Sequence, residues 1–178
     1  FSLLIFQVHS SSFKSNLFFK GGKLNENESE IDEDLYSRQL FVYGRSAQKR
    51  LAEAHVMVIG SNSLAMEVVK NLALAGVGKL SILKTKTHDV SSNEACLLGD
   101  DTSIVSYAQG INPNIEVFES KMSDLKEIKH SVVVSCEGNL KRHKALNAFC
   151  RATNSHFVAC NVLGLNGYVF NDLGENFV

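Results

Sequence analysis

A short polar turn between an apolar run and a helical pattern holds the residues of this chain that suit nucleotide chemistry. The apolar run is His55–Ile59, and the sequence Gly-Ser-Asn-Ser follows at 60–63. A dinucleotide-binding turn has the pattern G-x-G-x-x-G/A here, which brings backbone N–H groups and a helix N-terminus to a pyrophosphate. Gly60 and Ala65 fit the first and third positions, but Asn62 places a side chain where the middle glycine belongs.

A working site also needs an acid about 20 residues further on, where it binds the ribose hydroxyls. Lys84, Thr85 and Lys86 occupy that place, and Asp89 lies beyond them in a polar stretch that we expect to be a loop. Two interpretations remain open. In the first, the site is degenerate and this chain binds no cofactor. In the second, the two lysines bind the 2′-phosphate of NADP in an oxidoreductase domain.

The sequence contains no second catalytic arrangement. It has no G-x-S-x-G, no Walker loop and no H-E-x-x-H. No C-x-x-C pair occurs among the four cysteines, so we expect no metal site, and Cys136 and Cys160 are predicted to be buried thiols. The histidines are scattered, and His143, among three basic neighbours, is predicted to lie on an exposed helix face.

The elements around the turn predict an α/β domain of the Rossmann-like, doubly wound type. Residues 55–83 have the strand, turn, helix and strand of a βαβ unit. Apolar runs typical of parallel strands recur at 132–134 and 156–162, with an amphipathic helix at 139–152 between them. We expect a mainly parallel sheet with helices on both faces. The other predicted elements are helices at 32–54 with a break at Gly44, at 103–109 and at 123–128, and strands at 115–118 and 167–170.

The composition favours a single globular domain at residues 31–178. The 178 residues are 44% hydrophobic and 21% charged, with a net charge of −1, so we expect no nucleic-acid and no membrane partner. Residues 1–30 are predicted to be a flexible arm or a non-native leader. FSLLIF at 1–6 is apolar like a signal-peptide core, but no basic segment precedes it and no small-residue cleavage site follows.

Several segments occur in the order and spacing of one enzyme family. They are YSRQL at 36–40, the turn with its strands and helix, INPNIEV at 111–117, and LGLNGYVFNDLGENFV at 163–178. Over residues 31–178 the chain resembles the N-terminal, inactive adenylation half of ubiquitin-activating enzymes, which are ATP-dependent activators of ubiquitin-like modifiers. By this resemblance the fold is expected to be an incomplete part of the adenylation domain.

The resemblance implies a division of labour between two adenylation folds. The active half binds ATP and Mg²⁺ and adenylates the ubiquitin C-terminus, and the other half has lost its nucleotide site and supports the first. The arginine of the YSRQL segment, here Arg38, reaches the ATP phosphates of the active half, where a guanidinium fork suits phosphate oxygens. The residues alone favour instead an exposed arginine paired with Asp32 or Glu33. The implied partners are the active half and ubiquitin or a ubiquitin-like protein, in the cytoplasm and nucleus.

The chain departs from the family's pattern at two places. The Asp-Asn-Val-x-x-Arg-like segment of that half is CEGNLKRH here, with Gly138 and His143 at the Asp and Arg positions. The segment after Asp101 is about ten residues shorter than the family's strand-to-helix connection. None of the four cysteines is assigned the thioester role. A regulatory subunit of a SUMO- or NEDD8-activating heterodimer remains an alternative, although YSRQLFVYG and DLGENFV favour ubiquitin.

Overall fold

The computed structural model describes residues 31–84 and 103–175, which form one six-stranded sheet with helices on both faces. The strands are β1 (His55–Ile59), β2 (Lys79–Leu83), β3 (Glu116–Ser120), β4 (Val132–Ser135), β5 (His156–Leu163) and β6 (Asn166–Asp172). The first five strands pair in parallel, and β6 runs antiparallel to β5. The strand order is β3-β2-β1-β4-β5-β6. This is the order of a doubly wound dinucleotide-binding sheet, which confirms the predicted fold class.

Two layers of helices bury the sheet because the central strand is apolar on both sides. Val56 and Val58 of β1 face one hydrophobic cluster, and Met57 and Ile59 face the other, all at 0% exposure. The helices are α1 (Glu33–Tyr43), α2 (Arg45–Glu53), α3 (Ser63–Ala75), α4 (Ile104–Ile111), α5 (Asp124–Glu127) and α6 (Leu140–Ala152). Helices α3 and α4 contribute to the first cluster and α5 and α6 to the second.

Helix α1 lies against the C-terminal end of α3. Gly76 ends α3 with a left-handed backbone (φ 79°), and a Cβ at this position would lie 2.7 Å from Cζ of Tyr36. The absence of a side chain therefore lets the Tyr36 ring pack directly over the end of α3. In addition, Gln39 donates from Nε2 to the carbonyl oxygen of Leu74 at 3.2 Å. These contacts fix α1 although none of its residues is buried.

The predicted helices and strands agree with the structure, and the main difference is that the buried side of α6 includes His143. The two helices predicted on either side of Gly44 are confirmed, as are the strands predicted at 156–162 and 167–170. The prediction of an exposed His143 is wrong, since its exposure is 6% and the buried residues of α6 are His143, Leu146 and Cys150. Leu140, the first residue of this helix, is 69% exposed although it is apolar.

Strand β6 is an edge strand with apolar side chains exposed on both of its faces. Tyr168 and Phe170 line a groove of about 820 Å³ between α6 and the β5–β6 hairpin. Val169 points to the opposite face and is 54% exposed. The outer half of this hairpin therefore extends beyond the helices that cover the centre of the sheet.

Candidate functional site

The candidate site is the crevice at the carboxyl ends of β1 and β4. These strands are neighbours, and the chain leaves β1 toward one face of the sheet and β4 toward the other. In doubly wound sheets, ligands bind at such a switch point. The residues that decide its chemistry are therefore the turn after β1, at 60–62, and the loop after β4, at 136–138.

Gly60 allows these two segments to approach each other. Its φ of 136° strongly favours glycine, and a Cβ would lie 3.3 Å from both Cβ of Cys136 and Cγ of Glu137. The backbone N–H of Gly60 donates to the carbonyl oxygen of Leu83 at 3.0 Å. In this chain the glycine therefore serves close packing between the turn and the β4 loop.

Asn62 occupies the N-terminus of α3 with its own side chain. Its Oδ1 accepts from the backbone N–H of Ala65 at 2.9 Å, as an N-cap residue does. Its Nδ2 donates to the carbonyl oxygen of Cys136 at 2.9 Å. One amide thus satisfies a helix N–H that would otherwise face a phosphate, and it also ties the turn to the β4 loop.

Glu137 places a carboxylate at the same end of the crevice. The residue is 8% exposed, and its Oε2 accepts from the backbone N–H of Ser61 at 3.4 Å. A second loop N–H is thereby directed at a carboxylate of this chain. Two unit charges 4 Å apart repel by about 4 kcal/mol at an effective dielectric constant of about 20, more than the ~1 kcal/mol of one neutral hydrogen bond. The arrangement therefore does not fit a bound polyphosphate.

The ribose end of the crevice is described only in part. Nζ of Lys84 lies 3.3 Å from the Glu119 carboxylate, at the ends of β2 and β3. Thr85, Lys86 and Asp89 lie outside the described residues. Across 31–84 and 103–175, no group of three or more His, Cys, Asp or Glu side chains is placed to hold a metal ion.

Arg38 lies far from this crevice. Its helix contacts α3 at Leu74 and Gly76, whereas the turn adjoins the other end of α3. A 13-residue helix spans about 20 Å, so the structure does not bring Arg38 and Asn62 together.

The expected acidic partners of Arg38 are both engaged elsewhere. Asp32 caps α1 by accepting from the backbone N–H of Leu35 at 3.0 Å, and Glu33 pairs with Arg45. Arg38 itself is exposed, and we find no ion pair or hydrogen bond of its guanidinium within the part of the chain that the structure describes. The group is therefore available to an external anion.

Sequence reasoning missed two residues that shape the site and its surroundings. Glu137 follows the buried β4 run, and its position at the switch point would have been the signal to look for. Asn112 belongs to the INPNIEV segment, and it is 5% exposed and donates to both Tyr36 and Ala73. His143 also joins the β4 loop, with Nε2 lying 3.1 Å from the Glu137 carbonyl oxygen and Nδ1 3.2 Å from the Tyr168 hydroxyl.

The fold and the turn at its switch point define a Rossmann-like domain of the class that binds nucleotides, here with the phosphate end of its crevice filled by its own side chains. A family model described as the ThiF family matches residues 36–173, and the chain belongs to this family. No helix in the described ranges is both long and apolar enough to cross a membrane.

Curated proteins similar to this chain include ubiquitin-activating enzymes. The chain is 34% identical to ubiquitin-activating enzyme E1 1 of Schizosaccharomyces pombe over 85% of its own length and 16% of that protein. It is 31% identical to SUMO-activating enzyme subunit 1 of Dictyostelium discoideum, over 88% of this chain and 50% of that subunit. Among solved structures, Escherichia coli MccB has a TM-score of 0.62 at 18% identity, over 75% of this chain and 43% of that chain. The chain thus spans about a sixth of that ubiquitin-activating enzyme and half of the SUMO-activating subunit.

Proposed function

We propose that this chain is the non-catalytic adenylation half of a ubiquitin-activating enzyme, and that it supports ATP-dependent adenylation of the ubiquitin C-terminus by a partner half. The observation that carries the proposal is the filled end of its own crevice, where the side chains of Asn62 and Glu137 accept from the backbone N–H groups of Ala65 and Ser61. Similarity to a ubiquitin-activating enzyme over 85% of the chain supports the choice of reaction. ATP and Mg²⁺ then belong to the partner half, and this chain binds neither.

The position of Arg38 supports a contribution to that partner site. It lies near the opposite end of α3 from the turn of its own chain, so it serves no phosphate bound in this crevice. An exposed guanidinium that is not held by a neighbouring carboxylate has its donors free for phosphate oxygens. Arg38 therefore acts in trans, on ATP that the partner half holds, and stabilises the charge that develops there.

A second candidate keeps the reaction class and changes the modifier. The chain is 31% identical to a SUMO-activating subunit over 88% of its own length, close to its 34% identity to the ubiquitin-activating enzyme. The chain would then be the regulatory subunit of a SUMO- or NEDD8-activating heterodimer. Adenylation assays of the assembled enzyme with ubiquitin, SUMO and NEDD8 in parallel distinguish the two, since only the native modifier should support rapid ATP–pyrophosphate exchange.

The filled crevice is tested by titrating ATP–Mg²⁺ into the 178-residue chain in a calorimeter. We expect no saturable binding up to about 1 mM, the range of an interaction worth about 4 kcal/mol. A micromolar dissociation constant would overturn the proposal. The same titration with NADPH examines the oxidoreductase alternative, which the Lys84–Glu119 ion pair does not favour because it engages one of the two lysines concerned.

Two double variants test whether Asn62 and Glu137 cause the expected lack of ATP–Mg²⁺ binding. Asn62→Gly together with Glu137→Gln opens the phosphate end and removes its carboxylate. Asn154→Gly together with Glu127→Gln makes the same two types of change away from the crevice, in the turn after α6 and on the short helix α5. Only the first pair should raise the affinity for ATP–Mg²⁺ measurably.

A further inference from the structure

Two cysteine side chains meet where β4 and β5 leave the buried centre of the sheet. Cys136 follows the last residue of β4 and Cys160 lies within β5, and their Sγ atoms are 3.7 Å apart. The register of these parallel strands pairs Ser135 with Ala159, so the two cysteines are the next residues along it. Both are free thiols, and both belong to the hydrophobic cluster on the α3 side of the sheet. The backbone therefore brings the two sulfur atoms together on one face.

A disulfide between these thiols needs only a small movement. Neighbouring strands lie about 4.8 Å apart, within the Cα–Cα separation of about 4.4–6.8 Å that disulfides span. Since an S–S bond is about 2.05 Å long, the Sγ atoms must approach by roughly 1.6 Å from their present 3.7 Å. Cys160 is held by its pairing with Val169 of β6, whereas Cys136 lies in the loop after β4. Most of the movement therefore falls to Cys136.

The pair lies at the rim of the buried core. Cys136 and Cys160 are 0% and 2% exposed. Val162, which follows Cys160 by two residues and so lies on the same face of β5, is 56% exposed. Val169, opposite Cys160 on β6, is 54% exposed. Hydrogen peroxide is only a little larger than water, so a local opening at this end of the hairpin is enough to admit it.

The contact between the two thiols also decides which of them reacts first. Their hydrogen bond lowers the pKa of Cys160, although burial acts in the opposite direction. The same hydrogen bond raises the pKa of Cys136, and burial raises it further. Cys160 is therefore the sulfur that becomes the reactive thiolate, and Cys136 is the sulfur that reacts with its oxidised form.

We propose that Cys136 and Cys160 are a peroxide-sensitive pair that closes to an intrachain disulfide and so ties the β4 loop to β5. The Cys160 thiolate attacks one oxygen of hydrogen peroxide, the O–O bond breaks, and the departing hydroxide takes up the thiol proton as water. The sulfur of Cys136 then attacks the sulfenic sulfur of Cys160. The S–O bond breaks, and the second hydroxide leaves as water with the Cys136 proton. Two thiols are thus oxidised to one disulfide, and one peroxide is reduced to two water molecules.

The disulfide would act on the loop that fills the crevice. The carbonyl oxygen of Cys136 accepts from Nδ2 of Asn62, and the turn at Gly60 packs on the Cys136 side chain. Glu137 is the next residue of the same loop. A bond from Cys136 to β5 therefore adds a covalent anchor to the segment that occupies the phosphate end. This inference is independent of the proposed function, since it requires neither ATP nor a partner half.

The test is peptide mapping of the folded 178-residue chain after treatment with millimolar hydrogen peroxide. The remaining thiols are blocked with N-ethylmaleimide in denaturant, and trypsin then separates Cys136, Cys150 and Cys160 into peptides 130–141, 145–151 and 152–178. We expect the first and third peptides to be linked, with a mass lower than their sum by two hydrogen atoms. Dithiothreitol should separate them.

Cys150 provides the matched control. It is also buried, but it lies on α6 in the cluster on the other face of the sheet, and burial raises the pKa of its thiol to about 12. Its peptide should keep the maleimide, and Cys150→Ala should leave the link intact, whereas Cys136→Ala should abolish it. The oxidised wild-type chain should also unfold at a higher urea concentration than the reduced chain, because the link restricts the unfolded state.

Four results would overturn the proposal. The first is the absence of the linked peptides from the peroxide-treated folded chain, and the second is oxidation of Cys160 to a sulfinic acid without a link. A link that forms only in urea would assign the reaction to the unfolded chain. A linked chain that unfolds at a lower urea concentration than the reduced chain would show that the fold does not accommodate the bond.

Discussion

Asn112 holds Tyr36 in place over the end of α3 by a hydrogen bond of 2.9 Å from its side-chain amide to the tyrosine hydroxyl. The same Nδ2 donates to the carbonyl oxygen of Ala73, also at 2.9 Å. Since Asn112 is buried and follows α4, one amide joins α1, α3 and α4. The exposed helix that contains Arg38 is thus fixed to the core through a polar contact.

Removal of the Tyr36 hydroxyl should weaken this attachment. In Tyr36→Phe the ring stays over Gly76, but Asn112 loses an acceptor, so we expect a loss of about 0.5–1.5 kcal/mol in the free energy of unfolding. Urea denaturation of the 178-residue chain measures it. Tyr107→Phe is the control, expected to change the free energy by less than about 0.5 kcal/mol. Equal effects of the two substitutions would refute the importance of the Asn112 contact.

The close approach of Tyr36 to Gly76 gives a second prediction. Gly76→Ala places a Cβ 2.7 Å from the Tyr36 ring and 2.8 Å from Nε2 of Gln48. Gly164→Ala also faces a positive φ, of 62°, but with no atom within 4 Å. We expect Gly76→Ala to be the more destabilising by about 1–3 kcal/mol, since the crowded side chains must move. Thermal unfolding of both variants checks this difference, and similar melting temperatures would count against the contact.

A comparison of two asparagine caps measures how much the hydrogen bond from Asn62 to the β4 loop contributes to stability. Asn62 and Asn139 each cap a helix, at 2.9 and 3.0 Å, but only Asn62 also donates to Cys136. Asn139→Ala should cost about 1 kcal/mol, the typical value of a cap. Asn62→Ala should cost about 0.5–1.5 kcal/mol more, for the added hydrogen bond. The comparison is made by urea denaturation, and identical losses would mean that the bond to Cys136 contributes nothing.

Stability should fall in mild acid because of a buried histidine. Burial lowers the pKa of His130 to about 4, with further lowering by the charge of His55 and opposite contributions from the Ile128 backbone and from Asp124. The unfolded chain, with an ordinary histidine pKa near 6.5, binds the proton more readily. Stability contributed by neutral His130 is therefore complete above about pH 6.5 and is lost as the pH falls toward 4, by at most about 1.4 kcal/mol per pH unit.

His130→Gln removes this titrating group. The free energy of unfolding, measured by urea titration at several pH values from 7 to 4, should then depend less steeply on pH than in the wild-type chain. An unaltered slope in the variant would assign the acid sensitivity to other groups. His55 contributes in the same direction, because its pKa is also lowered, chiefly by burial.

In the two-half enzyme that we propose, Arg38→Ala should slow ATP–pyrophosphate exchange on the order of 100-fold, the effect of removing one donor to a developing charge. Arg38→Lys should recover only part of the rate, since an ammonium keeps the charge and loses the fork. Arg45→Ala is the control. It removes the partner of Glu33 at the start of the next helix and should leave the rate nearly unchanged. An unchanged rate in Arg38→Ala would remove its in-trans role.

Much of the fold could be predicted because its signals are local. Apolar runs, Gly44, Gly76 and the helical pattern after residue 62 define the elements without reference to distant residues. The sequence also showed that Asn62 occupies the middle position of the turn. The contacts that fill the crevice join residues more than 70 positions apart, as in Ser61 with Glu137, so no local pattern contains them.

The misassigned face of α6 has a similar cause. Three basic neighbours of His143 predict an exposed helix side, but the β4 loop and Tyr168 of β6 supply partners for both ring nitrogens. A histidine with two such partners can be buried, whereas the more apolar Leu140 remains at the surface. The decisive information was the pairing of β6 with β5, which the composition of α6 does not reveal.

Strand β6 has a consequence for handling the protein. An edge strand presents unpaired backbone N–H and C=O groups, and here Tyr168, Val169 and Phe170 add exposed apolar surface on both sides of it. Such an edge recruits strands from other molecules. We therefore expect the purified chain to aggregate as its concentration rises, which light scattering over a concentration series measures.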